Sequence, residues 1–355
     1  MKKVLLVTFS DNADHQEVIY SLFEELIRKL DVWVMSIRNP KVPHLDNNRV
    51  KYVDAPLRPG ITKGTFNAAE LLRILGFIRK QKFDLIYFET LHTWNIPIWV
   101  FSPKNTRIVQ AMHDVEPHSG DGAVKSVELM NKAAVKLVNT ILLRNKKFIS
   151  VLVQKYGVDS SRIIALDPWR RFPEYDPPVH SHKALFFGRL NEYKGIEYLP
   201  QIVKLCPQVQ FEIVGRADQA VEQYVNELKN MANVHLVSGY VSDERMVSCF
   251  HDADFVILPY KSASQSGVVL DANKFGRPPI AFSVGAISDQ IVQGVNGILV
   301  EAGNVEAFAA QVNRMATMQD EKLDEFSRKS YQYAFNRFSS VSCSEKFLDI
   351  VDKLT

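Results

Sequence analysis

The sequence predicts an α/β protein of two Rossmann-like domains, each with a parallel sheet, with a cleft between them. Three observations predict it. At 355 residues the chain is longer than a single core ordinarily organises. Short apolar runs alternate with stretches of helical periodicity, the pattern of βαβ units. The alternation breaks once, over residues 167–181, where Pro168, Pro173, Pro177 and Pro178 exclude a helix or a central strand. It then restarts.

In the first half, residues 4–9 read as a buried strand. Val18, Ile19, Leu22, Phe23, Leu26, Ile27 and Leu30 follow at helical spacing. Residues 32–37 are a second strand and 71–78 lie on a helix. Residues 85–88 and 108–112 are strands, 137–156 is largely helical, and 163–166 is a short strand. In the second half, strands fall at 183–187, 211–214, 234–237, 255–258 and 279–282, with helices between. Residues 321–355 are helical with an interruption near Phe338-Ser339-Ser340. The predicted divisions are a domain at 1–166, a linker at 167–181, a domain at 182–335 and a final helix at 336–355. Ligands of open α/β sheets sit beyond the carboxyl ends of the strands, which here would face the cleft.

Composition narrows the function. An apolar fraction of 46% with 16 Gly and 16 Pro is that of a well-cored globular chain. A net charge of +3 argues against a dedicated nucleic-acid binder. Cys206, Cys249 and Cys343 are scattered and odd in number, which suggests neither a metal site nor a disulfide framework, and a reducing compartment is the default. The apolar run after Met1-Lys2-Lys3 stops at Phe9, too short for a signal peptide and apt for a first strand. No run of roughly 18 apolar residues occurs, so no membrane span is expected. Neither a solenoid repeat nor a low-complexity tract is present.

The most informative stretch is KALFFGRLNEYKGIEYL, residues 183–199. It reads as a buried strand, a turn carrying Arg189, then Lys194-Gly195 at the mouth of a helix. Two cations and free backbone N–H groups would meet there. A bidentate Arg fork, a Lys point charge and a helix N-terminus together suit a pyrophosphate. A surface turn with two solvated cations is the alternative.

Four ordered elements carry a resemblance. They are GRLNEYKG at 188–195, FEIVGRA at 211–217, ADFVILPY at 253–260, and SGVVLDANKFGRPPIAFSVGAISDQIVQGVNGILV at 266–300. Together they resemble the family 4 (group 1) retaining glycosyltransferases of the GT-B fold, well from Leu166 onward and loosely before it. The resemblance implies a nucleotide diphosphate sugar as donor substrate, no cofactor and no metal. Arg189 and Lys194 would stabilise charge on the leaving pyrophosphate, and Gly188 would line the same turn. Gly267 opens the turn before a helix, so backbone N–H groups can approach a phosphate; Ser266 adds a hydroxyl, and Gln265 and Val268 flank the spot. Asp271, one turn into that helix, would accept bonds from a ribose diol; a helix acid stabilised by the dipole is the alternative. Gly239, Tyr240 and Val241 follow a strand where backbone groups can read the base. Arg216 reaches phosphate or base, or is a solvated surface residue.

One position departs from the family pattern. Two glutamates eight positions apart are usual, and Asp271 stands at the second while Ala263 stands at the first, which normally touches the transferred sugar. The run Ser264-Gln265-Ser266-Gly267 resembles a Gln-Ser-Gly variant of the family, whose polar side chains and N–H groups line that spot.

In the first half, many relatives have a glycine-rich loop after the first strand. Here it is Ser10-Asp11-Asn12-Ala13-Asp14-His15, without glycine, and Asp11, Asn12 and His15 are the acceptor-side candidates. QAMHDVEPHSG, residues 110–120, resembles the family's His-Asp-x-x-Pro-His variant. It implies His113 beside the donor sugar, Asp114 orienting it and His118 nearby. A metal site on these three, or a histidine hydrogen-bonded in the interdomain wall, is the alternative. Basic residues interleave with apolar ones at Lys63, Arg73, Arg79, Lys80 and Lys82, and at Lys132, Lys136, Arg144, Lys146 and Lys147. Such a face suits either an anionic membrane surface carrying a lipid-linked acceptor or plain solvation.

The expected activity is retaining transfer of a sugar to a hydroxyl of a glycan or lipid-linked acceptor by front-side substitution. The variants resemble enzymes of bacterial surface polysaccharide or glycolipid assembly, so a cytoplasmic location at the inner face of the membrane is expected. The final helix would cross back to the first domain, as in relatives. A sugar-nucleotide epimerase would need a carboxylate constellation the chain lacks, and a phosphorylase a much longer chain. A catalytically weak subunit that binds a nucleotide sugar and partners an active transferase stays open because of Ala263.

Overall fold

The computed structural model describes every residue except 41, 57–62, 114, 116–123 and 264–265. The chain forms two compact units, Met1–Arg171 with Phe338–Thr355, and Phe172–Arg337.

The first unit runs β1 (Lys3–Thr8), α1 (Ala13–Leu26), β2 (Asp31–Ser36), β3 (Val50–Tyr52), α2 (Ala68–Gln81) and β4 (Leu85–Phe88). It continues α3 (Asn95–Phe101), β5 (Arg107–Met112), α4 (Val124–Leu137), β6 (Thr140–Leu143), α5 (Phe148–Tyr156) and β7 (Ile163–Ala165). The seven strands are parallel in the order β3-β2-β1-β4-β5-β6-β7. A parallel sheet covered by helices is buried on both faces, so its strands read as continuous apolar runs. In β1, Leu5 and Val7 enter the core on one side of the sheet and Val4 and Leu6 the core on the other.

The second unit runs β8 (Lys183–Phe187), α6 (Leu199–Leu205), β9 (Gln210–Gly215), α7 (Glu222–Lys229), β10 (Val234–Ser238), α8 (Asp243–His251) and β11 (Phe255–Leu258). Then come α9 (Gly267–Lys274), β12 (Pro279–Phe282), α10 (Ile287–Gln290), β13 (Ile298–Val300), α11 (Val305–Ala316) and α12 (Asp320–Phe338). Its six parallel strands have the order β10-β9-β8-β11-β12-β13. Arg277 is fully buried and donates to the carbonyls of Phe250, Asp176, Phe275, Pro177 and His251. This anchors the proline-rich entry segment to the unit.

The last helix, α13 (Ser340–Leu354), belongs to the first unit. Ser339 caps it, its hydroxyl oxygen accepting from Ser342 N at 3.1 Å. Cys343, Phe347, Ile350 and Val351 pack in one cluster with Val18, Ile19 and Leu22 of α1. Arg170 N donates to the Phe338 carbonyl and Ser340 N to the Arg170 carbonyl, both at 2.9 Å, so the outgoing and returning chains are pinned together. The buried Trp169 adds a bond from Nε1 to the Val18 carbonyl at 3.0 Å.

Outside the candidate site, the sequence reading of the elements needs three corrections. Residues 137–156 are not one helix: α4 ends at Leu137, and Thr140–Leu143 is a strand between β5 and β7, buried at all four positions. A four-residue apolar run shows no period, and only its neighbours in the sheet decide its conformation. The first helix ends at Leu26 rather than Leu30, although Leu30 still packs in the core. Strands β3 and β13, three residues each, were not anticipated.

Phe347 is fully buried and meets the Tyr87 ring edge-on at 5.3 Å between centroids. Phe347→Ala is expected to cost about 3–5 kcal/mol of stability, measured by urea unfolding with tryptophan fluorescence.

Candidate functional site

Each sheet reverses its winding once, between β1 and β4 in the first unit and between β8 and β11 in the second. Such a reversal opens a crevice at the carboxyl ends of the strands. The candidate residues collect at these two points, one in each unit.

In the second unit the chain leaves β8 through Gly188 and Arg189. Contrary to the sequence reading, no α-helix begins at Lys194. A 3-10 turn at Glu192–Lys194 and another at Ile196–Tyr198 come first, and α6 starts at Leu199. The N–H groups of Lys194 and Gly195 are therefore not free: they bond the carbonyls of Asn191 at 3.2 Å and Glu192 at 3.0 Å. Asn191 also caps the turn with its side chain. Local capping by an asparagine defeats the helix expected there.

What reaches the switch point is the Lys194 side chain. Its Nζ donates to the Tyr260 hydroxyl at 2.9 Å and lies 4.7 Å from that ring's centroid. A Cβ on Gly188 would stand 2.7 Å from this Nζ, so the ammonium lies directly over the Gly188 backbone. Among the described residues it makes no ion pair. Burial, and then the nearby Arg189 charge, lower its pKa to about 8. Tyr260 is buried, and burial raises the pKa of its hydroxyl, which stays protonated.

Two glycines make this geometry. Gly195 has φ 69°, and a Cβ there would sit 1.8 Å from the Pro259 carbonyl oxygen. Gly215 ends β9 so close to β8 that a Cβ would meet the Gly188 oxygen at 1.7 Å. Leu190 N donates to the Arg216 carbonyl at 2.8 Å and Gly239 N to the Gly215 carbonyl at 3.1 Å, which aligns the three loops. Arg189 is exposed and donates to the Tyr193 hydroxyl at 3.2 Å. Arg216 is exposed as well, Tyr240 is 83% exposed, and Val241 is partly buried.

The helix α9 begins at Gly267, with Ser266 as its N-cap accepting from Val269 N at 3.4 Å. Gln290, which the sequence reading did not single out, clamps Ser266 from both sides: its Oε1 accepts from Ser266 N at 3.0 Å and its Nε2 donates to the Ser266 carbonyl at 2.9 Å. Val268 points its methyl toward Gly188, 3.9 Å from where a Cβ would be. Asp271, one turn on, pairs with Lys274 at 3.3 Å. Ala263 acts through its backbone, its carbonyl accepting from Ala286 N at 3.0 Å. Gly188, Lys194, Ser266, Gly267 and Val268 are thus brought together; Arg216, Gly239 and Tyr240 lie at the neighbouring strand ends. Gln265 lies outside the described residues.

In the first unit, Asn12 caps α1, its Oδ1 accepting from Asp14 N at 2.9 Å, so its side chain already has a structural task. Asp11 is exposed. His15, on the first turn, has Nδ1 3.0 Å from Ser10 Oγ, and its ring centroid is 5.2 Å from that of His113. His113 follows β5 with Nε2 2.8 Å from the Glu89 carbonyl oxygen and 3.0 Å from Glu89 Oε1. Glu89 follows β4 and is buried; Tyr87 Oη and Arg144 Nη2 both donate to its Oε2. Burial opposes the charge on Glu89, yet Arg144, then His113 and Tyr87, hold its pKa well below the carboxylate range. Burial, then His113, lower the His15 pKa to about 4.

Sequence reasoning missed Glu89; the only signal was an acid directly after the apolar strand LIYF. It also misplaced Arg144 on a basic face. Arg144 is 4% exposed and stacks on Trp169 at 4.2 Å, because β6 delivers it inward. Asp114 and His118 lie outside the described residues, and among those described no cluster could hold a metal ion.

Gly195→Ala is expected to push Lys194 off Tyr260 and to cost about 1–3 kcal/mol, read as a lower thermal unfolding midpoint.

Comparisons with known proteins fit this geometry. Residues 181–318 match the family Glycosyl transferases group 1. The chain is 23% identical over 237 residues to a D-inositol 3-phosphate glycosyltransferase of Corynebacterium diphtheriae, an alignment spanning 59% of this chain and 54% of that one. It is 24% identical over 327 residues to an uncharacterized glycosyltransferase of Methanocaldococcus jannaschii, covering 83% of each. Its structure resembles Anabaena HepE, solved with UDP and glucose, with a TM-score of 0.73 at 15% identity over 99% of this chain and all of that one. Residues 181–318 thus resemble the group 1 glycosyltransferases, and the two α/β units have the GT-B fold.

Proposed function

We propose that the chain transfers a sugar, with retention, from a nucleotide diphosphate sugar to a hydroxyl of a glycan or lipid-linked acceptor. The observation that carries this reading is Lys194, a partly buried ammonium with no acid partner among the described residues, aimed over Gly188 at the switch point of the second sheet. A buried cation without a counter-ion is costly, and a diphosphate would supply the missing charge. Arg189 is close enough to lower its pKa and would bind the same group. In the step itself the bond from the anomeric carbon to the leaving diphosphate breaks as the acceptor oxygen bonds that carbon. The acceptor's proton passes to the leaving diphosphate, and Lys194 and Arg189 offset the charge that builds there. The N-terminal N–H groups of α9 face the same end, and Asp271 is read as the ribose contact.

The HepE complexes with UDP and with UDP-glucose support uridine nucleotides as the first donors to try. The reading assigns His113 to the hydroxyls of the donor sugar, and His15 and the exposed Asp11 to the acceptor side. No helix among the described residues is long and apolar enough to cross a membrane. Exposed Phe66, Leu72 and Leu129 lie near exposed Arg73, Lys132 and Lys136 in sequence, which supports contact with an anionic membrane surface at its cytoplasmic face. Ala263, whose methyl cannot hydrogen-bond a sugar, favours a second reading: a nucleotide-sugar-binding subunit that partners an active transferase.

Calorimetry with UDP, GDP, ADP and dTDP tests the donor site. One nucleotide is expected to bind, and Lys194→Ala to weaken it about tenfold or more. Absence of binding by all four overturns the assignment. Binding should also take up protons near pH 8. The free site loses its Lys194 proton above about 8, whereas a bound diphosphate favours the ammonium, so affinity falls as pH rises past that value. The heat should then depend on the buffer's ionisation enthalpy in the wild type and not in Lys194→Ala. A bound protein that turns over no labelled UDP-sugar onto lipid or glycan acceptors would favour the partner-subunit reading.

A further inference from the structure

We propose that Glu89 is the positioning residue of His113: it keeps a proton on Nε2 and leaves Nδ1 as the nitrogen that meets the hydroxyls of the reacting sugars. The proposal rests on the reading of His113 as a catalytic-site residue beside the donor sugar.

Both oxygens that face His113 Nε2, the Glu89 carbonyl at 2.8 Å and Oε1 at 3.0 Å, can only accept hydrogen bonds while the carboxyl is ionised. Nε2 must therefore carry hydrogen, and in the neutral ring the lone pair resides on Nδ1. The surroundings hold Glu89 in that state. Arg144 Nη2 donates to its Oε2 and to the Tyr87 hydroxyl at 2.7 Å, and the Tyr87 hydroxyl donates to the carboxylate in turn. Every member of this chain of bonds is buried.

Energetics point the same way. A buried ion pair recovers its desolvation cost poorly, and apolar side chains of similar volume would hold the ends of β4 and β6 at least as well. A charged pair at the carboxyl ends of parallel strands, oriented on a partly exposed imidazole, is better explained by what it does to that imidazole. The groups around it complete the arrangement. From α1 come Asp14 and His15, from β4 Tyr87, from the end of β6 Arg144, and from α13 Cys343 beside Arg144. His15, tilted against His113 at 5.2 Å, brings no opposing positive charge near neutral pH. No proton or covalent bond is exchanged: Nδ1 accepts a hydrogen bond from a sugar hydroxyl and orients it.

The test is nuclear magnetic resonance on the full chain labelled with ¹⁵N-histidine, with His113→Gln assigning the signals. The neutral wild-type ring is expected to be protonated on Nε2, with a downfield, slowly exchanging Hε2 proton. In Glu89→Gln that proton should move upfield and exchange about tenfold faster, because a charge-assisted bond is lost. Should Arg144 left alone prevent folding, Glu89→Gln with Arg144→Met removes both charges and gives the same readout. Nucleotide affinity should stay within about twofold of wild type, while kcat for sugar transfer falls roughly tenfold at unchanged donor KM. A wild-type proton on Nδ1, or an Hε2 signal indifferent to Glu89→Gln, overturns the proposal even in an active enzyme. The expected signals in a protein that transfers no sugar uphold the positioning of His113 and overturn the transfer reading alone.

Discussion

The reversal of winding in each parallel sheet is the constraint from which both sites follow. Where β1 meets β4 and β8 meets β11, the connecting segments leave toward opposite faces and cannot cover the strand ends between them. In the second unit that opening is lined by Gly188, Lys194 and the start of α9. In the first it is lined by the loop after β1, by Glu89 and by His113. Close backbone approach sharpens the second opening: the Gly215–Gly188 contact admits no side chain, and Gly195 lets the chain turn under Pro259.

The two openings treat charge in opposite ways. Glu89 is buried with its counter-ion already present, bonded by Arg144 and Tyr87, so its charge is satisfied before any ligand arrives. Lys194 is partly buried and, among the described residues, bonds the Tyr260 hydroxyl and faces that ring without an acid partner; burial, then Arg189, lower its pKa. The first arrangement holds a geometry; the second creates an electrostatic demand that an anion relieves.

Several polar residues that look functional are committed to backbone chemistry. Asn12 caps α1, Asn191 caps the turn before Gly195, and Ser266 caps α9 while Gln290 holds its peptide group. These bonds set where the strand-end loops lie, so such residues shape a ligand site without offering their side chains outright.

Most strands and the break over residues 167–181 were legible in the chain, because strands buried on both faces must be apolar throughout and prolines exclude regular structure. The ordered motifs after Leu166 marked Gly188, Lys194, Ser266 and Gly267, and these do meet where the ends of β8 and β11 adjoin. Local sequence could not show that Thr140–Leu143 is a strand, that Lys194 sits in a capped 3-10 turn, or that Arg144 points inward to Glu89. Periodicity and capping signals act over a few residues, whereas the partners of Glu89 and Arg144 come from strands more than fifty positions apart. Sequence alone determined which segments are buried; only tertiary packing decided which charges are buried together, because a charge's partner is chosen by strand order and register.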